Sequence, residues 1–103
     1  MAAALTDGLS ATARSQFVVL QQRFVAGLDA RWAEIESAPD ARVLQGALHR
    51  LAGSAASFGF ERMGQCARSA ELQATSGSGP ALVLALASLH TEIELARSPA
   101  STE

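Results

Sequence analysis

Four stretches of this chain repeat apolar residues at spacings of three and four, and none alternates them. A repeat near 3.6 is the mark of a helix that buries one face, so these four stretches constrain the fold more than any other feature. The first comprises Phe17, Leu20, Phe24, Leu28, Trp32 and Ile35 and predicts a helix from Ser10 to Ser37, with Ser10 placed to cap it. Gly27 interrupts that run at a cost of about 1 kcal/mol against alanine, so a bend or a close contact is expected there. The second comprises Leu44, Ala47, Leu48, Leu51, Ala55 and Phe58 and predicts a helix from Pro39 to Phe58. Pro39 suits its first turn, Asp40 there complements the helix dipole, and Gly59 is its stop. The third comprises Met63, Cys66, Ala67, Ala70 and Ala74, on a helix from Phe60 to Thr75. Ser76 to Pro80 reads as a flexible loop. The fourth comprises Leu82, Ala85, Leu86, Leu89, Ile93 and Ala96, on a helix from Pro80 to Arg97. Four amphipathic helices with short connections predict an all-α fold, an antiparallel up-down four-helix bundle over residues 10–97. Residues 1–9 read as a tail or short turn, and residues 98–103 as a polar tail.

Composition narrows the function classes. A length of 103 residues suits one domain, and a hydrophobic content of 49% suits a folded one. A net charge of −2 argues against a nucleic-acid surface or a polybasic membrane patch. The single Cys66 excludes an internal disulfide, fits a reducing compartment and lacks the company a structural zinc needs; it reads as a small core residue. The longest apolar run, Leu82 to Leu89, is too short to span a bilayer, and Met1 to Leu5 has no secretory character. A soluble cytoplasmic protein without nucleic-acid or membrane partners is expected. Trp32 reads as core, and His90, one position off its stripe, as a flank or surface residue.

His49 stands out. With Leu44 at the centre of the buried arc, turns of about 100° per residue put Leu48, Leu51, Ala55 and Phe58 near that centre and His49 about 140° away. The same flank holds Arg42, Gln45, Gly46, Ala52, Gly53 and Ala56. Two interior glycines cost a helix about 2 kcal/mol in propensity. They either clear space around the imidazole or allow tight helix packing. An accessible imidazole can accept a group, act as a base or bind metal. A base needs a nucleophile and a cleft, and a metal needs further ligands at helical spacing; neither is evident. Accepting a group from a partner that brings its own active site fits best.

The run His49-Arg50-Leu51-Ala52-Gly53-Ser54, followed by Phe58-Gly59, resembles the histidine-containing phosphotransfer (HPt) family of two-component phosphorelays, whose core reads His-x-Leu-Lys-Gly-Ser. Gly59-Phe60-Glu61-Arg62-Met63 with Glu71 is similar to the family's next helix, and Phe24 to Leu28 to the helix before the histidine. The resemblance covers roughly residues 17–97. It implies that His49 accepts a phosphoryl group from a receiver-domain aspartate and passes it to another receiver. It also implies that Gly53 leaves room for that group and that Glu71 orients the imidazole through Nδ1. The chain departs from the family at Ala52, where a lysine would supply positive charge; Arg42, Arg50, Arg68 or the partner are the alternatives. Arg42, Gln45, Gly46, Arg50, Ala56 and Arg68 form the expected partner-binding face. The partners implied are response-regulator receiver domains and a hybrid histidine kinase. The chain itself is expected to be a monomer without kinase activity, cofactor or metal, any divalent ion being the receiver's. Two rivals stand: an adaptor that binds receivers without phosphotransfer, and a dimeric, histidine-kinase-like phosphotransferase.

Overall fold

The computed structural model describes residue 8, residues 10–77 and residues 79–98. Five helical segments follow one another: α1 (Ala11–Ala26), α2 (Leu28–Glu36), α3 (Ala41–Ser57), α4 (Glu61–Ser76) and α5 (Gly79–Arg97). No strand occurs among the described residues. α1 and α2 form one arm with a break at Gly27, whose N–H reaches the carbonyls of Arg23 and Phe24 at 3.1 Å each. The bend expected at Gly27 is therefore a joint between two helices. That arm and α3, α4 and α5 make the four-helix bundle. Of the expected tails, only Gly8 and Ser98 fall among the described residues.

The helix ends follow from side chains that satisfy orphaned amides. Ser10 Oγ accepts a hydrogen bond from the Ala13 N–H at 3.1 Å. Asp40 Oδ1 accepts one from the Val43 N–H at 2.9 Å. Asp40 is thus the cap of α3 and Pro39 precedes it, not the first-turn positions expected for both; an aspartate gains more by accepting an orphaned N–H than by lying one turn inside. At the far end of α3, Gly59 takes a left-handed φ of 85°. Its N–H bonds the Ala56 carbonyl at 3.2 Å, and the Phe60 N–H bonds that of Ala55 at 2.8 Å. This pair of bonds is the Schellman closure that a side chain at 59 would strain. α4 ends on Gly77, also left-handed at 71°. The loop expected from Ser76 to Pro80 shrinks accordingly, because α4 includes Ser76 and α5 begins at Gly79; Ser78 lies outside the described residues.

Leu28, Leu48, Leu51, Met63, Leu89 and Ile93 form the closed centre of the core. Leu44, taken as the centre of the α3 arc, is only half-buried, and that arc is centred on Leu48, Leu51 and Ala55. Leu20 is 45% exposed, because only the Phe24 end of α1 reaches the core. Cys66 is half-buried, and burial, reinforced by the charge of Glu92 and opposed by Arg62, pushes its thiol above the usual cysteine range. Trp32 is partly buried, with its ring 4.7 Å from that of His90 on α5. His90 in turn lies 3.5 Å from Glu94.

α3 and α4 pack most extensively, and small residues make this possible. A Cβ placed on Gly64 would lie 3.3 Å from the Ala52 carbonyl oxygen and 3.5 Å from the Ala56 nitrogen, both backbone atoms. Ala55, Ala67 and Ala70 are fully closed off beside them. Ala52 belongs to this seam. It is 3% exposed, so its expected place on the open flank with His49 is wrong. The wheel put it there because it counted only one covered arc, whereas α4 covers a second.

Nothing lies within 4 Å of a Cβ built on Gly53, and only the end of the flexible Arg50 side chain approaches one on Gly46. Neither glycine serves close packing; Gly64 does. Two substitutions separate these roles. Gly53→Ala should stabilise the fold by about 0.5–1 kcal/mol through helix propensity. Gly64→Leu should cost about 1–3 kcal/mol by wedging the seam. Urea unfolding midpoints moving in opposite directions is the expected result.

Candidate functional site

The seam sets what stands beside His49. Gly64 and Glu71 are two turns apart on α4, on the side facing α3. With Gly64 closed against Ala52 and Ala56, Glu71 arrives next to His49, and its Oε2 lies 3.2 Å from the imidazole Nδ1. The His49 side chain is 76% exposed and that of Glu71 28%. A carboxylate only accepts, so this contact favours the tautomer with its proton on Nδ1. Nε2 has no protein partner among the described residues and is the nitrogen open to chemistry.

On its other side His49 borders an open cleft of about 570 Å³. Arg50, Gly53, Ser54 and Ser57 line it from α3, Phe58 from just past the end of that helix, and Arg31 from α2. Gly53, one turn beyond His49, has open space where a side chain would stand. Arg50, next to His49 in sequence, also lines this cleft. Its guanidinium reaches Glu34 at 3.4 Å and lies back over Gly46.

The cleft owes its shape to an aromatic junction. All four phenylalanines of the chain meet where α1 crosses the end of α3. Phe24 has its ring 5.4 Å from Phe58 and 5.6 Å from Phe60, and Phe17 lies 6.2 Å from Phe58. Gln21 Nε2 donates a 2.7 Å hydrogen bond to the Phe58 carbonyl. This junction fixes the α1–α2 arm beside His49. Arg31 sits 5.5 Å from the centre of the Phe24 ring and donates a long 3.5 Å hydrogen bond to Ser54 Oγ.

The remaining residues of the expected face are distributed differently. Arg42 and Arg68 are exposed and do not line the cleft, while Gln45 and Gly46 are half-buried. Ala56 is exposed but borders the seam at Gly64. Arg31, Ser54 and Ser57 were not singled out from the sequence. The signal was present for Arg31, which lies three residues after Leu28 and four before Ile35, a charge on the edge of a buried stripe. No group of three or more His, Cys, Asp or Glu side chains that could hold a metal occurs among the described residues. No helix among them is long and apolar enough to cross a membrane.

No curated protein and no solved structure matches the chain. A family model does: the Hpt domain model matches residues 19–99, which include both arms of the cleft, His49 and Glu71. Hpt domains are phosphotransfer modules of phosphorelays that work with response-regulator receiver domains, and are not themselves kinases. The match spans most of the chain, which therefore belongs to the Hpt domain family.

Proposed function

We propose that this domain is a phosphorelay intermediate. His49 accepts a phosphoryl group from a receiver-domain aspartate and passes it to another response regulator. One observation carries the reading: the exposed imidazole has Nδ1 against Glu71 and Nε2 open. In the forward step the Nε2 lone pair attacks phosphorus in line with the aspartyl oxygen. The P–O bond breaks, and its electron pair returns to the aspartate carboxylate. Nδ1 keeps its proton, so the product is an N-phosphorylated imidazolium. The Glu71 carboxylate, 3.2 Å away, offsets that new positive charge. Transfer onward is the same sequence reversed.

The receiver would bring the aspartate and any divalent ion, and this chain would need no cofactor. A hybrid histidine kinase is one source of such a receiver. Four arms within one chain suit a monomer rather than a bundle completed by a second copy, and the cytoplasm is where such partners are met. The exposed Arg42, Arg50 and Arg68 and the small Gly46, Gly53 and Ala56 support a docking face centred on His49. Contacts of this kind are transient and small.

Two outcomes are expected. Incubated with a panel of phosphorylated receivers, the wild type should take label from at least one and His49→Gln from none; equal labelling of both would end the transfer role. Glu71→Ala should let the imidazole proton move to Nε2, seen as a change in the ring ¹⁵N shifts. It should also slow labelling roughly fivefold, the equivalent of about 1 kcal/mol for an exposed charge-assisted contact. Ring shifts identical to wild type would show that Glu71 does not hold the tautomer.

A further inference from the structure

The family places a lysine at position 52, and here Ala52 is shut into the α3–α4 seam. The chain contains no lysine at all, and its positive side chains are eight arginines. Seven are exposed and one, Arg31, is half-buried. Arg50 is engaged by Glu34, Arg62 by Glu92, and Arg97 by Asp29 and Glu94. Among the described residues no carboxylate lies within ion-pair distance of Arg31. It stacks on Phe24 and reaches Ser54 through one long hydrogen bond, which leaves most of its donors unused. A guanidinium partly withdrawn from water, backed by an aromatic face and short of an anion, is a site prepared for one.

We infer that Arg31 is the phosphoryl-binding cation of this domain: once His49 carries a phosphoryl group, the Arg31 guanidinium binds its oxygens across the cleft, with the Ser54 hydroxyl beside it. The inference rests on His49 being the acceptor. The open space at Gly53 is where the group enters, next to Ser54 in sequence and on the Arg31 side of α3. Planar and multidentate, a guanidinium suits a phosphoryl group better than an ammonium does. Arg50 also lines the cleft but is held by Glu34 and folded back over Gly46. Arg42 and Arg68 lie outside it.

Phosphoramidate tests this without a receiver, so docking cannot confuse the result. Its P–N bond breaks, the Nε2–P bond forms, and its nitrogen takes a proton from water and leaves as ammonia. The full chain is compared with Arg31→Gln, Arg31→Lys and Arg23→Gln for the rate of phosphohistidine formation and for its ³¹P shift. Arg31→Gln should slow formation roughly tenfold and move the ³¹P resonance. Arg31→Lys should recover a large part of the rate, and Arg23→Gln, at an exposed arginine of α1 outside the cleft, should match wild type. In the wild type, the Arg31 guanidinium ¹⁵N resonances should shift on phosphorylation, a readout that needs no variant to fold. Wild-type kinetics in Arg31→Gln, an equal loss in Arg31→Lys with an unmoved ³¹P resonance, or unmoved Arg31 resonances would each overturn the inference. A wild type that takes no label would instead remove His49 as acceptor, and this inference with it.

Discussion

The approach of α4 to α3 at Gly64 is the contact on which the rest of the site depends. With a hydrogen in place of a side chain, the α4 backbone comes to rest against the backbone of Ala52 and Ala56. That closeness brings Glu71 to the His49 imidazole two turns further along. It also closes over position 52, where a long polar side chain would have to thread out past α4 before reaching solvent. One packing choice thus sets the Glu71 carboxylate beside His49 and shuts position 52 away from solvent.

The second half of the site comes from elsewhere in the chain. The aromatic junction ties α1 to the end of α3, and the Schellman closure at Gly59 turns the backbone so that Phe58 and Phe60 both face Phe24. His49 and the Glu71 carboxylate beside it therefore belong to one hairpin, α3–α4, while Arg31, across the cleft, belongs to the α1–α2 arm. The Arg50–Glu34 pair and the Arg31–Ser54 hydrogen bond both cross that boundary. Each is exposed or long, so hydrophobic packing around Phe24, Leu28 and Ile35 carries most of the docking energy.

Much of this was legible in the residues. Periodicity located all four arms, and of the small residues around His49, Gly53 marked open space while Ala52 belonged to the seam. The 3.6-residue repeat fails where a helix has more than one covered face. Leu44 and Ala52 exchanged roles because a wheel shows angles around α3 but not which neighbours cover it. It fails again for glycine, since open space and close approach leave the same letter; Gly53 proved to be the first and Gly64 the second. Leu20 fits the stripe of α1 yet stays 45% exposed, because that part of the helix meets the end of α3 through Phe17 and Gln21 instead. Arg31 was hardest to read, since its meaning lies in a relation across two arms that no local spacing encodes.

Trp32 adjoins Arg31 in sequence and rests on His90 of α5. The chain has no other tryptophan and no tyrosine. Its near-ultraviolet emission therefore comes from one ring, set on the arm that carries Arg31 and packed against the bundle. Nature has in effect labelled that arm: fluorescence from the unmodified protein reports whether α2 is seated on the bundle.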